Sequence, residues 1–259
     1  MRGGGAFAYA QARLQARHGQ RAGDPVFQSL APIAEFRPYL ERARLTPLKP
    51  WMLNIGAGSD PHEIERLLRA HLRARIEEAA AWVPAAWRAP VRWTQVLVDL
   101  PALEYLLRGE PALPWMMEED SLKALALAEP EARRAVLGQG DYGPLAQGAD
   151  RESLLERWLR AWRSLLPRMP NRAARRLEGL VVLVRDHRAA FAPAPSGESP
   201  SPRAAWDARR RLEAQAARHF RRAFLEPAAV FAHLLLLALE FERLRGALVT
   251  RRLFASEGG

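Results

Sequence analysis

EPAAVFAHLLLLALEFERLRGALVTRRLF, residues 226–254, decides the fold class. Val230, Leu234, Leu237, Phe241, Leu244 and Leu248 alternate four and three residues apart, so they line one stripe of a helix. Phe231, Leu235, Leu236 and Ala238 fill the flanks, which makes the first half of that helix apolar nearly all round and predicts burial by several neighbours. Charges enter only after Leu239, as Glu240, Glu242, Arg243 and Arg245. The longest apolar run, residues 228–239, falls short of the roughly 20 residues of a bilayer span, so no transmembrane helix is expected.

The preceding stretch, residues 206–225, places Arg209, Arg210, Arg211, Arg218, Arg221 and Arg222 on a helix with Leu212, Phe220 and Phe224. It is the most concentrated basic element of the chain. One reading is a solvated helix face; the other is a docking surface for acidic loops, anionic headgroups or nucleic acid, with Arg209, Arg210, Arg218, Arg221 and Arg222 as the candidate interaction residues. Before it, APAPSGESPSP at residues 192–202 reads as a flexible Pro/Ser loop that cannot bury anything. Two helices after that loop are too few for a separate core, so the chain is read as one domain, residues 1–259.

Earlier segments repeat the helical period. Residues 6–19 read as a first helix with Phe7, Ala10, Leu14 and Arg17 marking its faces and Gly19 closing it. Prolines confine any helix in residues 25–50 to short pieces near 27–31 and 33–43. Ser59, Asp60, Pro61, His62 and Glu63 form a start signal: Asp60 caps, Pro61 suits the first position, and Glu63 sits where a capping-box carboxylate reaches back. The helix that follows carries Ile64, Leu67, Leu68, Leu72, Ile76 and Val83 inside, with Glu65, Arg69, Arg73 and Glu77 outside, and ends or kinks near Pro84. Residues 91–97 read as a strand by residue type, or as a helical or extended connector. Asp120 is expected to cap a short helix and Asp150 to open a longer one with Leu154, Leu155, Trp158, Leu159, Trp162 and Leu166 on its apolar face. Residues 172–191 supply another helix with an apolar middle at 180–184. The fold class is all-α, a compact multi-helix bundle.

With 259 residues and 49% hydrophobic content, the chain can bury one substantial core. No secretory signal is read at the start, and cytoplasmic residence is the default expectation. The absence of cysteine excludes disulfides, thiolate metal sites and a cysteine nucleophile. A formal charge of +10 and a pI near 11.0 fit a polyanion partner. Lys49 and Lys123 are nevertheless the only lysines among 39 basic residues, and arginines spread through Ala/Leu-rich sequence also arise from GC-rich coding without any acidic partner.

Three separated segments resemble the d/C-type family of rotary V-type and archaeal-type ATPase subunits. Residues 7–14, FAYAQARL, are similar to its N-terminal aromatic-x-Tyr-Ala-x-Ala-Arg-apolar helix. Residues 99–109, DLPALEYLLRG, resemble its mid-chain helix, which begins with an acidic residue and contains Asn-Leu before Leu-Leu-Arg; Ala102 stands where Asn is expected. At the end, Glu-Pro, an apolar run and E-x-L-R-x-x-L occur in the family's order, with Arg243 replacing Asn in Glu242-Arg243-Leu244-Arg245. The resemblance implies a funnel of three related helical lobes and a non-catalytic coupling subunit, peripheral on the cytoplasmic face of the membrane, with a proteolipid ring and central-stalk subunits as partners in proton or ion transport. The chain is shorter than the usual members. The alternative is a stand-alone basic helical protein that binds a polyanion, nucleic acid or an anionic membrane. Residues 102–109 and 239–246 also echo one another, each ending an apolar stripe in Leu-Arg-Gly, as a duplicated unit or by chance.

No motif points to an enzyme, a cofactor or a metal. Gly138, Gly140 and Gly143 make a literal G-x-G-x-x-G, but no strand precedes it and Pro144 follows. Gly56 and Gly58 lead into the Asp60 cap as a plain turn, or as an anion-holding helix start. His62 and Glu63 lack a second histidine at Arg66, so a capped helix explains them. Glu118, Glu119 and Asp120 suit the N-terminal end of a helix dipole. His18, His187, His219 and His233 fall on different helices, and His233 is expected to be a core or interface histidine with one hydrogen bond. Trp82, Trp87, Trp93 and Trp115 read as packing anchors or as stacking platforms.

Overall fold

The structure is a computed structural model that describes residues 5–147, 152–191 and 201–255, and these residues form helices, turns and connections without a strand. A 3-10 turn at Gly5–Phe7 leads into α1 (Ala8–Gly19), followed by α2 (Asp24–Leu30), α3 (Phe36–Ala43) and a 3-10 turn at Lys49–Met52. Then come α4 (Pro61–Trp82), α5 (Ala85–Arg92), α6 (Gln95–Leu107), α7 (Pro114–Glu118), α8 (Asp120–Leu127), α9 (Arg133–Gln139) and α10 (Gly143–Ala146). Four helices complete the chain: α11 (Leu154–Leu165), α12 (Asn171–Phe191), α13 (Pro202–Arg222) and α14 (Pro227–Ala255).

Local chemistry explains most boundaries. The Asp60 carboxylate accepts from the amides of His62 and Glu63, both at 2.8 Å, and these bonds hold its pKa below the ordinary aspartate value. Pro61 occupies the first turn of α4, where no donor is lost. Pro84 starts α5 instead of kinking α4. Residues 91–97 hold no strand: they are the end of α5, a turn at Trp93 and Thr94, and the start of α6, and Pro101 lies inside α6. Gly109, at φ +87, gives α6 a left-handed stop that a side chain would strain. Its partner in the internal echo behaves differently: Gly246 lies within α14, which runs on to Ala255.

Three expectations change here. Asp120 makes no side-chain cap; it is the first residue of α8, and Glu119 precedes it. Asp150 lies outside the described residues, and α11 is capped by the Ser153 hydroxyl accepting from the Glu156 amide. The row Glu65, Arg69 and Arg73 is not an outer face, because Glu65 and Arg69 are buried and Arg73 is half-buried. Of the 192–202 loop, residues 192–200 lie outside the described residues; Ser201 caps α13 by accepting from the Ala204 amide.

One hydrophobic cluster runs from Phe7 to Leu248. α14 is its axis, at 29 residues about 44 Å long, and it packs against α13, α4, α12, α1, α3 and α5. Ala228, Ala229, Val230 and Ala232 are fully enclosed, as the unbroken apolar run requires. α13 and α14 form a tight hairpin. Leu225, at φ 58, turns the chain between them, and its amide donates to the buried Gln11 side chain of α1 at 3.2 Å. Trp87 and Trp162 each meet Phe231 of α14, and Phe7 meets Trp87 edge-on at 5.7 Å, so these tryptophans anchor packing.

Candidate interaction surface and buried charge network

α13 sorts its arginines by helical phase. Ala208, Leu212, Ala216 and Phe220 are buried, in a helix that packs against α12 and α14. At about 100° per residue, Arg203, Arg210, Arg211, Arg218, Arg221 and Arg222 fall within an arc of about 120° on the opposite side. All six are exposed, and among the described residues none has a carboxylate within ion-pair distance. Asp207 is the one acid in that arc. Four of the five sequence-derived candidates, Arg210, Arg218, Arg221 and Arg222, therefore share one surface with Arg203 and Arg211.

Arg209 is turned away from them. Its guanidinium donates to the Leu239 carbonyl and pairs with Glu242 of α14 at 3.4 Å. Burial lowers its pKa from the ordinary arginine value, with Glu242 opposing that shift. Arg209 and Glu242 stand between two clefts. One, of about 400 Å³, is lined by Phe27, Tyr39, Trp206, Arg243 and Arg251. Arg243, the residue that replaces the expected Asn, lies between the rings of Phe27 at 4.2 Å and Trp206 at 4.7 Å and pairs with Asp24. Arg251 covers Tyr39 at 4.1 Å and donates to the carbonyls of Ile33 at 2.7 Å and Ala247 at 2.9 Å.

The second cleft, of about 470 Å³, is lined in part by Glu65, Arg69 and Arg245, members of a charge network that periodicity concealed. Asp99 of α6, 2% exposed, accepts from Arg69 and from Arg73 at 2.6 Å through one carboxylate oxygen, and from the Tyr142 hydroxyl at 2.7 Å through the other. Arg73 also reaches Glu119 and the Ser121 hydroxyl, at 3.1 Å for the latter. Arg69 pairs with Glu65 at 3.5 Å and stacks over Trp115 at 4.5 Å, and Arg245 of α14 closes the chain of charges on Glu65. Three acids and three arginines balance: Glu65, Arg69 and Asp99 are buried, Arg73 and Glu119 half-buried, and Arg245 is exposed at the outer end, so the enclosed charges are all paired. Burial, then the Asp99 charge, raise the Tyr142 pKa, so this phenol is a permanent donor. Ala102, where the family pattern expects Asn, is buried on the wall of the same cleft.

A third cluster lies on the other side of α14. Glu240, 4% exposed, accepts from the Trp51 indole at 2.8 Å and pairs with Arg21 at 3.2 Å; burial raises its pKa, with Arg21 and Trp51 opposing. His18 and His233 meet across Phe220, with ring centroids 4.4 and 5.9 Å from it. His233 is a core histidine, as expected, but its Nδ1 has no partner, and burial, reinforced by Arg21, pushes its pKa down to about 3. His187 and His219 stay apart from this pair on α12 and α13.

Gly138 and Gly143 end one short helix and begin the next, α9 and α10, so the glycine pattern is a helix-to-helix turn. Among the described residues, no cluster of three His, Cys, Asp or Glu side chains is placed to hold a metal ion, and no helix is long and apolar enough to cross a membrane. No family model, curated protein or solved structure matches the chain.

Proposed function

We propose that this chain is a non-catalytic coupling subunit of the kind that the d/C-type family supplies to rotary ATPases, linking a membrane proteolipid ring to a central stalk. The observation that carries the reading is the packing of α14 along α1, which brings the first and last of the three family-like segments into one unit. That is where the resemblance implies they belong. The middle segment adds to it: its leading acid, Asp99, is joined through Arg69, Glu65 and Arg245 to α14. A part that transmits torque works by stiffness rather than by reacting groups, and a charge-balanced ion network with a buried centre, set in a continuous core, supplies stiffness.

The test is affinity purification of the tagged full chain from its native membranes in mild detergent. Stoichiometric recovery of a proteolipid and of central-stalk subunits is the expected result. Recovery of the chain without them, from membranes shown to contain an assembled rotary ATPase, overturns the reading.

A further inference from the structure

The arginine face of α13 is left without a counter-charge by its own fold. Elsewhere the chain pairs many of its arginines closely: Arg17 with Glu78, Arg185 with Glu156, Arg188 with Glu104, Arg163 with Glu178. Arg203, Arg210, Arg211, Arg218, Arg221 and Arg222 are the clustered exception, strung over about 29 Å of one helix face with Asp207 as the sole acid among them. Like charges at this spacing repel, and Asp207 and the C-terminal end of the helix dipole beside Arg221 and Arg222 offset only part of the cost. Arginine rather than lysine at every position offers planar forks that match phosphate oxygens.

We propose that this face docks on the surface of an anionic phospholipid bilayer, with α13 lying along the headgroups. The shape of the face favours a sheet of phosphates over a nucleic-acid strand. The arginines stand on the outward side of α13, and the two clefts beside Arg209 are lined by none of these six. Ala204, Asp207 and Ala214 are the other exposed residues in the arc, so it offers neither an amide to read a base edge nor a ring to stack on. The rings are at the margin. Trp206, 45% exposed, lies near the start of the helix and Phe224, 61% exposed, in the turn just past its end, as interfacial side chains beside a basic face do. The left-handed turn at Leu225 follows Phe224 directly, and its amide is tied to Gln11, which fixes the backbone beside that ring. The proposal goes beyond the coupling reading and needs neither ring nor stalk.

The experiment is co-sedimentation of the purified full chain with large vesicles, of phosphatidylcholine alone or with one third phosphatidylserine. Binding to the anionic vesicles only, weakening as salt is raised, is expected. With roughly five-fold in partitioning per basic residue near such a surface, Arg210→Gln, Arg218→Gln, Arg221→Gln and Arg222→Gln together should weaken it on the order of several hundred-fold. A control that removes the same charge from other exposed sites, Arg42→Gln, Arg88→Gln, Lys123→Gln and Arg134→Gln, should stay within a few-fold of wild type. Phe224→Ser should weaken binding with no change in the far-UV circular dichroism spectrum. Equal losses in the two four-site variants, equal binding to neutral vesicles, or no vesicle binding at low salt would each overturn the proposal. So would capture of single-stranded RNA through these four arginines by a chain that ignores vesicles. Lipid binding without co-purified ATPase subunits would sink the coupling reading alone, and the converse result would sink this one alone.

Discussion

Replacing Asp99 with alanine removes the acceptor shared by Arg69, Arg73 and Tyr142 while leaving all three donors in place. Arg69 is 3% exposed, so its charge cannot turn to water, and breaking a buried pair from one side typically costs about 3 to 5 kcal/mol. Tyr142, 5% exposed, would keep an unmet hydroxyl, a further loss of about 1 to 3 kcal/mol if it stood alone. These losses overlap, because Glu65 still faces Arg69 and Glu119 still faces Arg73, so we expect about 3 to 5 kcal/mol in total. Urea melts followed by far-UV circular dichroism measure it, and the thermal midpoint should fall on the order of 10 °C. Asp99→Asn should cost a similar amount, since its one amide oxygen cannot serve both Tyr142 and the arginines and a neutral amide leaves the arginine charges stranded. The double variant Arg69→Met with Asp99→Leu should recover much of the loss, because an apolar pair carries no stranded charge. A cost below about 1 kcal/mol for Asp99→Ala would refute the reasoning, since no buried charge can then have been stranded.

Leu237→Ala in the enclosed half of α14 should cost about 2 to 5 kcal/mol in the same melts, through the cavity it leaves. Arg251→Ala should also destabilise, by about 1 to 3 kcal/mol, although it lies near the chain end; a change within error would show that its bonds to Ile33 and Ala247 and its contact with Tyr39 are not formed in solution. Acid should act through His233. Its folded-state pKa near 3 lies below the usual 6.5, so only the unfolded chain gains its proton as pH falls from about 6.5 towards 3, and stability is lost over that window. His233→Leu should flatten the decline in melting temperature between pH 7 and pH 4, and an unchanged slope would count against a buried neutral imidazole.

The sequence was most legible where one residue decides its own surroundings. Asp60 before Pro61 announces α4, and the unbroken apolar run of α14 demands the neighbours it has. The charge network was illegible for a physical reason: Glu65, Arg69 and Arg73 repeat every four residues, which is how a solvated face also repeats. What buries them is Asp99, about thirty positions on, and an ion pair across such a distance leaves no period. Arg209 and Arg210 show the opposite case. Arg209, Glu213, Ala216 and Phe220 follow one helical row, so phase alone separates the inward arginine from the outward ones; reading the run as a single basic cluster discarded that signal. Gly246 misled because Leu-Arg-Gly ends a helix only when the glycine takes a left-handed φ, as Gly109 does.

Arg133 uses its charge in another way. It is 4% exposed, and it donates to the carbonyls of Ala128 at 3.2 Å, Leu106 at 2.8 Å and Glu110 at 2.7 Å. The last turn of α6, the link beyond it and the approach to α9 are thus clasped by one side chain, which closes the intervening segment into a loop without a covalent bond. The clasp makes local opening of α7 and α8 all-or-none: while it holds, that segment cannot peel away alone, and once it slips, three backbone acceptors lose their donor together.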